Sequence, residues 1–122
     1  MIVADTDVLI DALAGVNPER VRLELRRRGL AAAAVSAYEL WRGARTKQAR
    51  AQVGELLSML QVLPFDARAA ELAGAAHREL AGEGAVIGKA DLYVAGICLA
   101  VGAPLLTRNR REFQRVRGLR LA

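Results

Sequence analysis

One cysteine, one histidine, five aromatic residues and no long apolar run: each scarcity in this sequence removes a class of protein. Cys98 has no second cysteine to pair with, so an intramolecular disulfide is excluded. Lying inside an apolar segment, it reads as a small core residue of a reducing, cytoplasmic protein. No apolar stretch reaches the roughly 18 residues of a membrane span. The N-terminus lacks the basic region and long apolar segment of a signal peptide, so no membrane partner is expected. With so few aromatics in a chain that is 53% hydrophobic, the core must be built from Ala, Leu and Val. A length of 122 residues makes one domain, spanning 1–122, around one core of ordinary size.

What is present begins with charge. The net +5 is unevenly spread: residues 20–50 hold nine Lys/Arg against Glu24 and Glu39, and residues 108–120 hold six Arg against Glu112. Between them, 51–107 holds three basic and six acidic residues. Two basic blocks suit a polyanion such as nucleic acid, although Arg-rich helix faces can equally be solvated surface.

Along the chain, apolar strand-like runs alternate with helical patterns. Ile2–Ala4 is a β-branched run that stops at Asp5, and Val8, Leu9 and Leu13 then recur at helical spacing. Asn17-Pro18-Glu19 is a helix start, with Asn17 as cap, and Gly29 ends that helix. Leu30 to Val35 is a second strand, after which Ser36 caps a helix from Ala37 to about Arg45 with Glu39 in capping-box spacing. Lys47–Leu60 is amphipathic, Gln61–Leu63 a short strand, and Asp66 the cap of a helix with the stripe Ala69, Leu72, Ala73, Ala76 and Leu80. Gly82–Gly88 reads as a mobile loop. Lys89–Val101, apolar nearly all round, is the buried helix, stopped by Gly102 and Pro104. Leu105–Thr107 is a strand, Arg110–Phe113 a helical turn and Leu119–Leu121 a last edge strand. This alternation predicts a three-layer α/β/α sandwich with a central parallel sheet of about five strands.

In such a sheet the carboxyl ends of the strands share one edge, where ligands bind. Asp5 ends the first strand, Glu39 follows the second, and Asp91 opens the buried helix that leads to the fourth. Each has a structural excuse: Asp5 or Thr6 can cap a helix, Glu39 can close a capping box, and Asp91 can sit solvated at a helix N-terminus. The helix dipole favours an acid there by only ~0.3–1 kcal/mol, whereas burying an unpaired charge costs several, so a cation should face Asp91. Lys89, two residues away, is badly placed to be that partner. Three converging acids without histidine or cysteine nearby suit Mg²⁺ or Mn²⁺, which can polarise a phosphodiester and activate water. His77 lies on a helix away from these junctions and reads as structural. Arg108, Arg110 and Arg111 could bind the flanking phosphates of a nucleic acid.

Four segments carry a resemblance: Val3-Ala-Asp-Thr-Asp-Val-Leu-Ile10, Ser36-Ala-Tyr-Glu-Leu40, Ile87-Gly-Lys-Ala-Asp-Leu-Tyr-Val-Ala95 and Leu106-Thr-Arg-Asn-Arg-Arg-Glu-Phe113. In order and spacing they resemble the motifs of PIN-domain ribonucleases, in particular the small VapC-type toxins of toxin–antitoxin pairs, over essentially the whole chain. The resemblance implies an Mg²⁺- or Mn²⁺-dependent endoribonuclease, a homodimer, and a cognate antitoxin that blocks the site. It assigns Asp5 and Asp91 as metal-binding acids and Glu39 as the acid that binds the ion or activates the nucleophile. Thr6 and Thr107 become orienting hydroxyls, and Asn109 and Glu112 complete the catalytic set. The chain departs from the pattern at Asp7, where relatives often carry asparagine, and at Glu112, where a shorter acid is common. Asp7 either adds charge to the site or caps the helix, and Asp11 reads as helix surface.

Two other readings compete. Asp5-Thr-Asp7 also fits the start of haloacid-dehalogenase-type phosphatases, with Asp5 as nucleophile and Asp7 as general acid. Against this, Lys89 and Asp91 share one helical turn, and there is no room for a cap domain. The other is a catalytically inactive PIN-like module that binds RNA or protein, for which three clustered acids have no use.

Overall fold

A computed structural model describes all residues, Met1–Ala122. Four parallel strands, β1 (Ile2–Ala4), β2 (Leu30–Ala33), β3 (Gln61–Leu63) and β4 (Leu105–Leu106), form one sheet in the order β3-β2-β1-β4. Pairing is in step, Ile2 with Leu30, Val3 with both Ala31 and Leu105, and Ala33 with Leu63. Side chains alternate between faces along a strand, so each pairing sorts neighbours onto the same face. Ile2, Ala4, Leu30, Ala32 and Leu106 point one way, and Val3, Ala31, Ala33, Leu63 and Leu105 the other.

The first face is covered by α1 (Thr6–Leu13), α2 (Pro18–Arg27), α3 (Ala34–Gly43) and α4 (Lys47–Ser58), through Leu9, Val21, Leu40, Val53 and Leu56. The second is covered by α5 (Ala67–Gly82), α6 (Lys89–Val101) and the short α7 (Arg110–Phe113). The expected three-layer sandwich is therefore present. Helices α5 and α6 approach closely because α6 carries Gly96. A Cβ built there would stand 2.4 Å from the Ala69 carbonyl oxygen and 2.8 Å from Ala73 Cβ. Gly102, in the left-handed region at φ 70°, ends α6 as expected.

Several local expectations need correction. The sheet has four strands, not five: the last segment makes only a single bridge, Leu121 to Leu105. β2 ends at Ala33, where its pairing with β3 ends, and α3 starts at Ala34. Ser36 is consequently inside the helix rather than its cap, and the capping box with Glu39 does not form. Asn17 precedes α2 in the left-handed conformation, φ 47° and ψ 48°, and its side chain makes no capping bond. Asp66 caps α5 as expected, accepting from the Ala69 amide at 2.9 Å.

Candidate active site

The chain leaves β1 for helices on one face of the sheet, yet reaches the adjacent β4 through helices on the other. The carboxyl ends of β1 and β4 thus flank a topological switch point, the usual crevice of an open α/β sheet. Asp5 follows β1 and Thr107 follows β4, and the Thr107 hydroxyl donates to Asp5 Oδ2 at 2.8 Å across it. Asp5 Oδ1 accepts from the Thr6 amide at 2.8 Å, so Asp5 caps α1 and also faces the crevice. Both Asp5 and Thr107 are buried.

From Thr6 the network continues to α3. Thr6 Oγ1 lies 2.9 Å from Glu39 Oε1 and 2.8 Å from Ser36 Oγ. A carboxylate only accepts and Thr6 has one hydroxyl proton, so that proton goes to Glu39 while Ser36 donates to Thr6. Ser36 is fully buried. Its part in this network escaped the sequence reading, which treated it as a helix cap; the signal was its three-residue spacing from Glu39, which puts both on one face of α3. On the β4 side, Asn109 donates from Nδ2 to Glu112 Oε2 at 2.9 Å, and its amide donates to Thr107 Oγ1 at 2.9 Å.

Asp91 touches none of these groups through a hydrogen bond, and no lysine, arginine or histidine side chain pairs with it. Burial, reinforced by the charges of Asp5, Glu112, Asp7 and Glu39, instead pushes its carboxyl up to about 6. Asp5 is also raised, chiefly by burial, with the Thr107 and Thr6 hydrogen bonds opposing and Asp7 and Glu39 adding to the rise. The mutual repulsion means that five acids from four separate segments share one electrostatic neighbourhood. As placed, however, no three Asp, Glu, His or Cys side chains stand close enough to hold one ion.

The arginines are differently placed from expectation. Arg108 Nε pairs with Asp11 Oδ2 at 3.0 Å, and its Nη2 is 4.0 Å from Asp7 Oδ2. Asp11 is therefore a partly buried ion-pair acid rather than bare helix surface. Arg110 donates to the Ala122 carbonyl oxygen at 2.6 Å. Arg111, on α7, forms no ion pair. Asp7 is half-exposed and turned to Arg108, which disfavours it as the general acid of a phosphatase.

Comparison with known proteins agrees with this fold. The model of the PIN domain family matches residues 2–119. This chain belongs to the PIN domain family. Among PIN-domain relatives, the tRNA(fMet)-specific endonuclease VapC of Shigella flexneri is 35% identical over 105 residues, covering 83% of this chain and 80% of that protein. The crystal structure of DNA-bound VapBC from Salmonella typhimurium superposes with a TM-score of 0.89 at 30% identity, covering 100% of this chain and 98% of that one. VapBC2 from Rickettsia felis, bound to a DNA fragment from its promoter, gives 0.88 at 25% identity with the same coverage. The shared fold extends over the whole chain.

Proposed function

We propose that this PIN domain is an endoribonuclease dependent on Mg²⁺ or Mn²⁺, acting as the toxin of a toxin–antitoxin pair. The observation that carries the reading is the acid cluster at the switch point: a buried Asp5 fastened to Thr6 and Thr107, Glu39 tied to the same Thr6, and Asp91 pushed up to about 6 with no cationic partner. Acids held against their own repulsion, offering only oxygen donors, fit a hard divalent cation by type. Asp5, Asp91 and Glu39 are the residues that would hold it. When bound, the ion supplies polarisation of the phosphodiester and a lowered pKa for the attacking water.

The remaining work falls to the chain itself. Thr107 and Thr6 fix the orientation of Asp5, Ser36 fixes Thr6, and Glu39 is the acid placed to receive a proton from the nucleophile. Asn109 orients Glu112. Arg108, beside Asp7 and Asp11, and Arg111, on α7, are the arginines that would meet RNA phosphates. The two similar structures above are VapBC assemblies, which supports a cognate antitoxin as protein partner of this chain; a second copy of itself rests on the family resemblance. No helix is long and apolar enough to cross a membrane, and a cytoplasmic activity is the reading that fits the proposed RNA substrate.

The test is cleavage of a tRNA(fMet) transcript in Mg²⁺ and in EDTA by wild type, Asp5→Asn and Asp91→Asn. Cutting should require the metal and vanish in both variants. Phosphate release from small esters with the RNA left whole would favour a phosphatase, and intact RNA with neither activity a passive binding module.

A further inference from the structure

We propose that Tyr38 and Arg42 form a stacking subsite for an unpaired nucleobase next to the candidate catalytic acids. The inference rests on the ribonuclease reading and adds to it the part of the substrate held at this edge of the site.

In a chain with five aromatic residues, four are occupied by the protein. Phe113 is fully buried. Phe65 and Tyr93 pair with centroids 4.6 Å apart. Trp41, although half-exposed, lies over Gly54, where a built Cβ would be 3.4 Å from the indole Cη2. Tyr38, 58% exposed, is the most exposed of the five and has no aromatic partner. Its ring carries the Arg42 guanidinium 5.4 Å from the centroid, within cation–π range. The same guanidinium stands 4.0 Å from Glu39 Oε2. One arginine therefore joins an exposed ring to a candidate catalytic carboxylate.

The chemistry of that pair matches a nucleotide in an unpaired strand. Bases splayed from single-stranded RNA stack on tyrosine rings and guanidinium planes, and this stacking tolerates any base because each has a π face. A guanidinium beside the ring also meets the negative phosphate of the same nucleotide. A duplex hides its bases and cannot use such a platform, so the subsite selects for loops and unpaired segments. A protein partner would also cover an exposed tyrosine. A charged guanidinium over the ring and a carboxylate beside it make the patch polar, which favours the nucleotide.

The experiment uses wild type, Tyr38→Phe and Tyr38→Ala, the last two at an exposed position where folding is not at stake. The cut in a tRNA(fMet) transcript is mapped, and oligoribonucleotides spanning it are made intact or with one abasic nucleotide on either flank. Stacking predicts that Tyr38→Ala raises KM about tenfold with kcat unchanged, while Tyr38→Phe behaves as wild type. One abasic position should raise the wild-type KM by a similar factor and add nothing in Tyr38→Ala. An unchanged KM in Tyr38→Ala, or abasic losses of equal size in both proteins at every position, overturns the subsite. So does a change of oligomeric state in sedimentation with RNA kinetics intact, which would assign Tyr38 to a protein interface. If wild type cuts no RNA with any divalent ion, the ribonuclease reading fails by itself. Anisotropy of a fluorescent oligouridylate then decides the subsite separately, with about tenfold weaker binding by Tyr38→Ala expected and equal binding refuting it.

Discussion

Replacing Asp91 by asparagine should stabilise the metal-free protein while destroying its activity. The Asp91 carboxyl moves from 3.8 to about 6 on folding, a little over two units, equivalent to a ceiling of about 3 kcal/mol at 1.36 kcal/mol per unit. Because the side chain is only partly buried, solvent screening reduces this to about 1–2 kcal/mol. The sign follows from proton binding: an acid whose pKa is raised by folding favours the folded state below its unfolded pKa and loses that contribution as pH rises through the folded value. Wild type should therefore lose ground to Asp91→Asn between about pH 4 and pH 7, the window set by those two values. Urea denaturation in EDTA, which leaves ionic strength low, measures the difference at several pH values. The variant should be more stable above pH 7 and the gap should close toward pH 4. A variant that is less stable at pH 8, or a gap independent of pH, would refute the idea that burial and neighbouring acids strain Asp91.

Other substitutions probe the scaffold. Gly96→Ala should cost about 1–3 kcal/mol in urea denaturation, because the new methyl would collide with the α5 backbone at Ala69; a neutral substitution would mean that α5 shifts freely. Glu24, nearly fully buried, pairs with Arg28 at 3.2 Å and Arg20 at 3.3 Å. Its bond to Arg28 leads the effects that hold the carboxyl below its ordinary value, against the opposing cost of burial. Glu24→Gln should thus cost about 1–2 kcal/mol at neutral pH, with the deficit fading as acid titrates the wild-type carboxylate; a deficit that persists in acid would point to packing instead. The Cys98 thiol, pushed up to about 12 chiefly by burial, should resist thiol reagents in the folded protein and react only on unfolding. Labelling of the native protein at neutral pH would contradict its place in the core.

How much of this was legible in the sequence depended on the range of the interactions involved. Strand β1, the cap at Asp66 and the end of α6 at Gly102 rest on residues within a few positions of each other, and the local pattern found them. The β2–α3 boundary did not yield, because Ala31 to Ala34 suits either element and the strand stops only where its partner Leu63 stops. Leu119–Leu121 has strand-like composition, but a single bridge to Leu105 is all that the neighbouring edge accommodates. The acids of the site were legible one by one from the junctions they occupy. Their second layer was not legible from spacing: Thr107, 102 residues from Asp5, enters only through the family resemblance. Ser36, which reaches Thr6 across 30 residues, reads locally as a cap, and only the packing of α3 against β1 places it. The partner of Arg108 was hidden for the same reason, since Asp11 lies on α1, at the far end of the chain.

The most direct test of the account is calorimetric titration of Mn²⁺ into the folded wild-type protein, Asp5→Asn and Asp91→Asn. Saturable binding by wild type, weakened at least about tenfold in each variant, is the outcome expected if these acids hold one hard cation. Equal binding by all three proteins, or none by wild type, would contradict it.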